Sequence, residues 1–222
     1  MPPHSQASDQ SQDCTLARTL RFGRWDAYSP LGLKMVFAKD EEIYGQDESA
    51  NLLFRVVSGA VRTTHLMSDG RRQIGEFYYP GEVFGIEAGN LHRYSAEALG
   101  ETVVLALKIS ALRTAAGNEA FERMVCEAAG VELNRAQEHL MLLGRKSAYE
   151  RVATFLIDIA DRRRSDAVTL PMSRQDMADY LGLTIETVSR MLTRLQATLA
   201  VEFDTARQFH IRNRFQLARL AH

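Results

Sequence analysis

Between about Lys34 and Leu107, apolar residues come in short β-prone bursts separated by turn residues. Leu52–Val57 and Ala60–Leu66 read as strands broken by Ser58-Gly59. Ser68-Asp69-Gly70 reads as a hairpin turn, because Asp and Gly tolerate positive φ, and Arg72–Tyr79 then runs back as a strand. Pro80-Gly81-Glu82 is a further turn and Glu101–Ile109 a last, buried strand. Short strands at this spacing predict an all-β barrel or sandwich. Near Ser110 the period changes. From Asn118 to Leu143 there is no proline, and Gly130 is the one glycine. Cys126, Ala129, Leu133, Ala136, Leu140 and Leu143 alternate three and four residues apart, which is a heptad seam. A second apolar set, Phe121, Met124, Val125 and Ala128, suits packing on the chain's own barrel. A helix with two apolar stripes needs two partners, and the same helix across a two-fold axis is the simplest second one. A core helix packed within one chain is the alternative. Gly130 weakens this helix by roughly 1 kcal/mol relative to alanine and marks a bend or a close approach.

Gly144-Arg145-Lys146 reads as a hinge. Ala148–Asp161 is another amphipathic helix with Val152, Phe155, Leu156 and Ile159 inward. Arg162-Arg163-Arg164 then places positive charge at its C-terminus, where the helix dipole favours it. Ser173 followed by Asp176 is an N-cap with an acidic first turn; the short helix after it buries Met177, Ala178 and Leu181, and Gly182 suits the left-handed residue that closes it. Thr184 caps a second helix with Ile185, Val188, Leu192 and Leu195 inward. Two helices joined by such a turn make a helix-turn-helix.

The outer face of that second helix carries the chemistry. Glu186, Ser189 and Arg190 project together from its first turns, the part of a recognition helix that reaches base edges in the major groove. Arginine there grips guanine O6 and N7, and glutamate accepts from cytosine N4. The competing reading is an ordinary i, i+4 ion pair on a solvated helix. Ser173, Arg174, Thr184, Thr187 and Arg194 are expected at backbone phosphates. Beyond it, Thr198–Phe203 and Phe209–Ile211 flank a polar turn and read as a wing, without the glycine often found at its start; Arg207 at the tip, and Arg212 or Arg214 beyond, are further phosphate candidates.

Charge supports this division. Residues 145–222 hold 13 Lys and Arg against 9 Asp and Glu, a balance of +4, while the first 144 hold 14 against 19, a balance of −5. A basic back half suits a polyanionic partner. The chain is 222 residues long, with no apolar run long enough to span a bilayer. Its polar start, without a signal-peptide core, reads as a disordered tail. Two cysteines far apart, Cys14 and Cys126, give no disulfide framework and point to a reducing cytoplasm. The expected organisation is a tail at 1–22, a sensory-type barrel at 23–115, a dimerisation helix at 116–144 and a winged helix-turn-helix at 145–222. The fold class is α+β. An enzyme is rejected: no nucleophile–base pair or phosphate-cradling loop is present, and His65 and His92 lack the His-x-His partner of a metal-binding cupin.

Val57-Ser58-Gly59-Ala60-Val61-Arg62, Gly70-Arg71-Arg72-Gln73-Ile74, Pro80-Gly81-Glu82-Val83-Phe84-Gly85 and Glu186-Thr187-Val188-Ser189-Arg190, in this order, resemble the Crp/Fnr superfamily of bacterial regulators from about Arg24 onward. The Asp179-Tyr180-Leu181-Gly182-Leu183-Thr184 run and the Glu-x-x-Ser-Arg form are similar to its FixK branch. The resemblance implies a cyclic-nucleotide-binding-like jelly roll, a homodimer, double-stranded DNA with a TTGA-type palindrome, and activation through contacts with RNA polymerase. Four-cysteine iron–sulfur ligation of the Fnr kind is not expected, since two cysteines cannot supply it. Gly85-Ile86-Glu87 and Arg93-Tyr94-Ser95 are similar to the residues with which relatives hold a cyclic nucleotide, but Tyr94 intrudes between Arg and Ser. Glu87, Arg93 and Ser95 are therefore the candidate effector pocket, with no obligatory ligand or cofactor as the main expectation. A Crp-like regulator gated by a small ligand, or by haem on His65 or His92, is the alternative.

Overall fold

The computed structural model describes residues 23–68 and 70–221. The expected tail with Cys14, Asp69 of the hairpin turn, and His222 lie outside the described residues. A short helix α1 (Gly23–Asp26) and a 3-10 turn (Ser29–Leu31) lead into eight strands: β1 (Leu33–Phe37), β2 (Glu42–Tyr44), β3 (Leu52–Ser58), β4 (Val61–Leu66), β5 (Arg72–Tyr78), β6 (Val83–Phe84), β7 (Ser95–Ala98) and β8 (Thr102–Lys108). They form two four-stranded antiparallel sheets, ordered β1-β8-β3-β6 and β2-β7-β4-β5. Between them lies an aromatic core in which the rings of Phe54 and Phe84 are 5.3 Å apart, with Tyr44 and Tyr78 alongside. Gly59, at φ +83°, makes the β3–β4 turn possible; a Cβ there would lie 2.6 Å from the Glu101 carbonyl oxygen. Trp25 of α1 is buried with Leu105, Leu107 and Leu112, closing one end of the barrel.

Helices follow: α2 (Ile109–Ala116), α3 (Asn118–Arg145) and α4 (Ala148–Arg163). Helix α3 runs through Gly130 as one helix of 28 residues. Phe121 and Met124 are buried against Leu53, Leu105 and Leu107, so one stripe packs on the chain's own barrel. The expected hinge is instead braced. The α3–α4 junction is Lys146-Ser147, and Arg151 donates to the carbonyls of Leu143 (2.7 Å), Lys146 (2.9 Å) and Leu181 (2.9 Å). Lys146 Nζ donates to Thr154 and to the Ala221 carbonyl, both at 2.8 Å.

The C-terminal part holds β9 (Ala167–Thr169), α5 (Arg174–Leu181), α6 (Ile185–Ala197), β10 (Val201–Phe203), β11 (Gln208–Ile211) and α7 (Arg214–Leu220). The wing is a three-stranded sheet ordered β10-β11-β9. Leu199, at φ +61°, takes the left-handed position where a glycine was expected. At α5 the Ser173 hydroxyl accepts from the Asp176 N–H (3.1 Å), and Asp176 Oδ2 accepts from the Ser173 N–H (2.8 Å), a reciprocal capping box. Burial works against ionising Asp176, but the Ser173 hydrogen bonds and the Arg62 and Arg72 charges outweigh it and hold the carboxyl below its usual range.

One continuous apolar core joins barrel to C-terminal part: Ile74, Phe77 and Tyr79 of the barrel meet Phe155, Leu156 and Ile159 of α4 and Met177 and Leu181 of α5. Beside it sits an ionic hub. Arg162, assigned from sequence only to the end of α4, turns inward; its side chain is 6% exposed. It donates to Glu76 (3.0 Å), Glu82 (2.7 Å) and the Phe77 carbonyl, and its guanidinium lies 4.6 Å from the Tyr79 ring centroid. Arg135 of α3 donates to the other oxygen of Glu82 at 2.6 Å and to Glu132 at 3.2 Å, and Glu132 accepts from the Tyr78 hydroxyl at 2.8 Å. Burial disfavours ionisation of Glu82, yet Arg162 and Arg135 hold it below the ordinary carboxylate range. At Glu132 burial prevails over Arg135 and Tyr78, and its carboxyl is pushed up.

Arg162→Met is expected to lower unfolding free energy by about 3–5 kcal/mol in urea titration, because it leaves two buried carboxylates short of a partner. Exposed Arg163→Met should stay within about 1 kcal/mol. Asp176 has a depressed folded pKa, so its ionised form stabilises the fold at neutral pH. The stability advantage of the wild type over Asp176→Asn is expected to be full above roughly pH 5. It should decline below the unfolded value of about 3.9 and vanish below the folded one. Urea titrations of both proteins at neutral and acid pH check this; a gap that stays constant with pH contradicts it.

Candidate nucleic-acid interface and barrel pocket

The second helix of the motif, α6, stands on α5 through Val188, Leu192 and Leu195, which are buried with Met177, Ala178 and Leu181. Gly182, at φ +62°, closes α5 and allows the tight turn into α6. Thr184 begins α6; its hydroxyl accepts from the Thr187 N–H (3.3 Å) and bonds the Thr187 hydroxyl (3.1 Å). The opposite face of α6 carries Glu186, Ser189 and Arg190, all exposed. The Ser189 hydroxyl donates back to the Ile185 carbonyl at 2.9 Å. Arg190 reaches only the Thr187 hydroxyl, at a marginal 3.5 Å. No ion pair between Glu186 and Arg190 forms among the described residues. The carboxyl of Glu186 is held below its usual range by its own backbone N–H and by the Thr184 hydroxyl, so it stands ionised at the start of the helix. Glu186 and Arg190 thus stand exposed on the outer face of α6 without pairing to each other.

The flanking residues divide into two groups. Arg194 is exposed, with its guanidinium 4.7 Å from the Tyr149 ring centroid, and Arg207 is exposed in the β10–β11 turn. Ser173 is occupied by the capping box. Arg174 is half-buried, donates to the Ala206 carbonyl at 2.8 Å and lies over the Phe203 ring, so it ties α5 to the wing. Burial lowers its pKa. Arg212 and Arg214, considered for phosphate contact, are engaged within the chain: Arg212 pairs with Glu202 at 2.6 Å, and Arg214 with Asp161 and, at 2.7 Å, Asp166. Their spacing in sequence gave no sign of these partners, because Asp161 and Asp166 belong to a different element.

Along α3, Cys126, Ala129, Leu133, Ala136 and Leu140 are exposed in the single chain, on the face away from Phe121 and Met124. Leu133 is 58% and Leu140 70% exposed. Leu143, the sixth seam position, is half-buried against the C-terminal core and packs near Gly182.

The barrel and α3 enclose a pocket of about 570 Å³ whose walls include Glu87, Arg93, Tyr94, Tyr78 and Glu132. Glu87 accepts from the Arg93 backbone N–H (3.1 Å) and from Arg93 Nε (3.0 Å), so the two candidates meet each other. Ser95 lies outside this lining; its hydroxyl accepts from the Gln46 N–H at 2.9 Å. Tyr94 packs over Gly75, where a Cβ would lie 2.9 Å from the ring. A cyclic phosphate here would face the carboxylates of Glu76, Glu87 and Glu132, with its one nearby guanidinium already paired. The residues present do not fit that ligand. His92, one of the two haem candidates, is buried and stacked 3.7 Å from Tyr44, while His65 bonds the Arg93 carbonyl.

Known proteins bear on these features. Residues 150–220 match the Crp-like helix-turn-helix domain and residues 34–118 the cyclic nucleotide-binding domain. The chain is 47% identical to the nitrogen fixation regulation protein FixK of Azorhizobium caulinodans, over 86% of this chain and 79% of that protein. It is 42% identical to FixK of Rhizobium meliloti, over 81% and 82%. The solved structure of FixK2 from Bradyrhizobium japonicum superposes with a TM-score of 0.82 at 48% identity, over 86% of this chain and 98% of that one. The motif, the barrel and these relatives agree that the chain is a DNA-binding transcription regulator and not an enzyme, and that it belongs to the FixK-like branch of the Crp/Fnr family.

Proposed function

We propose that the chain acts in the cytoplasm as a homodimer that reads a TTGA-N6-TCAA palindrome and activates transcription with RNA polymerase. In this reading it needs neither an iron–sulfur cluster nor an obligatory barrel ligand. The observation that carries it is the exposed outer face of α6, where Glu186 and Arg190 stand apart, without a carboxylate partner on the arginine. Arg190 is assigned to the guanine of TTGA and Glu186 to the opposing cytosine. Ser189 completes the base-reading set. Thr184, Thr187, Arg194 and Arg207 are the backbone contacts, whereas Ser173 and Arg174 act mainly by holding α5 and the wing in place.

Homodimerisation rests on the exposed stripe of α3. Cys126, Ala129, Leu133, Ala136 and Leu140 face away from the barrel, and Leu143 closes the seam where α3 meets the C-terminal core. Four-base half-sites six base pairs apart have centres ten base pairs apart, about one helical turn, which is the spacing a two-fold pair of recognition helices requires. Relatives named as transcriptional activators, such as AadR of Rhodopseudomonas palustris, support the activating direction. Independence from an effector is supported by the Glu87–Arg93 pair, which occupies the guanidinium a ligand phosphate would use. The two cysteines of the sequence are too few for a four-cysteine cluster.

Titration of the purified protein against the palindromic duplex and a scrambled one, at fixed salt, is the direct test. Tight and selective binding without added ligand is expected. Arg190→Ala should lose about 1–3 kcal/mol of specific affinity while non-specific binding hardly changes. Selective binding that appears only after a cyclic nucleotide or haem is added would establish the effector-gated alternative. Leu133→Glu with Leu140→Glu is expected to shift sedimentation from dimer to monomer and to abolish preference for the palindrome. A variant that remains dimeric overturns the seam.

A further inference from the structure

Barrel and helix-turn-helix also meet at a second ionic contact, distinct from the Arg162 hub. Arg62 of β4 and Arg72 of β5 both reach Asp176 Oδ1 at the start of α5, at 3.1 and 2.7 Å. Arg72 also places Nε and Nη2 on Asp179 Oδ2, at 3.1 and 2.7 Å. Arg62 is buried and held by Glu97 (2.8 Å) and Asp40 (3.1 Å). Asp176 uses its remaining oxygen, Oδ2, on the Ser173 N–H and hydroxyl, so one carboxylate closes the first turn of α5 and receives the barrel's arginines. The ring of Phe77 on β5 lies 5.2 Å from that of Tyr180 on α5, an apolar backing for the same contact.

Rigid couplings run outward from it on both sides. Helix α5 shares a core with α6, so whatever orients α5 orients the recognition helix. The barrel is fixed to α3 by Phe121, Met124 and the Tyr78–Glu132 hydrogen bond. With the exposed stripe of α3 as the two-fold seam, the contact sets the distance and rotation between the two recognition helices. One base pair more between half-sites moves them apart by about 3.4 Å and turns them by about 35°.

We propose that Arg72 and Asp179 are positioning residues for operator spacing: they touch no DNA, and they hold the reading head at the angle that suits a six-base-pair spacer. The inference rests on the homodimer–palindrome reading given above. It goes beyond that reading by assigning spacer selectivity to a pair of residues outside the recognition helix. Arg72 suits a test because its side chain is 30% exposed and Arg62 remains on Asp176 when it is removed.

Full-length wild type, Arg72→Gln, Asp179→Asn and the double variant would be titrated against duplexes with five-, six- and seven-base-pair spacers and against a single half-site. Wild type is expected to prefer six. Each variant should lose roughly three- to fivefold of that preference, the scale of a partly screened ion pair. The double variant should lose no more than Arg72→Gln alone, since Asp179→Asn removes a contact that the loss of Arg72 already removes. Arg72→Lys should keep part of the preference, and half-site affinity should stay within about twofold throughout. Uniform weakening on every duplex, with the spacer ratios of the wild type, would mean a purely structural role and overturn the proposal. A wild type indifferent to spacing would overturn the homodimer–palindrome reading, and the proposal with it; that failure is visible before any variant is measured.

Discussion

Arg162 is the constraint around which the molecule is arranged. A guanidinium this deeply buried is tolerable only if its charge and donors are met, and the chain meets them with Glu76, Glu82 and the Phe77 carbonyl, all from the barrel. Since Arg162 belongs to α4, the first helix of the C-terminal part, its neutralisation requires that helix to lie against β5 and the turn after it. Arg135 shares Glu82 from the side of α3. The barrel and two consecutive helices distant from it in sequence are thereby brought to one point, and the apolar core of Phe77, Phe155 and Tyr180 closes beside them. The geometry of such pairs is directional in a way that hydrophobic contact is not, so the hub fixes orientation as well as proximity.

What the barrel contributes follows from this. In a ligand-gated relative the pocket would respond to an anion, but here its ion-pairing groups are already occupied. Glu87 holds Arg93, Glu132 holds the Tyr78 hydroxyl, and Tyr94 covers Gly75. On the proposed effector-independent reading, the barrel serves as a frame for α3 and for the DNA-reading unit. The braced junction at Lys146-Ser147, with Arg151 spanning three carbonyls, is consistent with a frame and not with a swinging hinge.

Local chemistry was legible in the sequence where one element carried its own signal. The helix-turn-helix announced itself because caps at Ser173 and Thr184, a left-handed closure at Gly182 and the 3.6-residue rhythm of Val188, Leu192 and Leu195 all lie within a short stretch; Ile185, expected inward with them, sits in the first turn and is exposed instead. The exposed apolar stripe of α3 from Cys126 to Leu140 was legible for the same reason. Long-range pairing was not: nothing around Arg162 names Glu76 or Glu82 some eighty positions away, so the residue read as a solvated helix end. Arg212 and Arg214 likewise gave no hint of their carboxylate partners, which are decided by the packing of α7 and β10. Strands as short as Ala167–Thr169 and a helix as short as α1 have too few residues to show a period. At Ser95 the motif was similar to a ligand site, but the pocket wall runs through Tyr94 instead.

The exposed leucines of α3 carry a further implication. On the proposed homodimer reading, a single chain that presents Leu133 and Leu140 to water is the less favourable species, and pairing is a second-order process. At concentrations where single chains predominate, the number of DNA-competent pairs rises with the square of the amount of protein. Modest changes in synthesis or degradation would then produce steep changes in promoter occupancy, so on the homodimer reading the protein's own abundance can act as the signal.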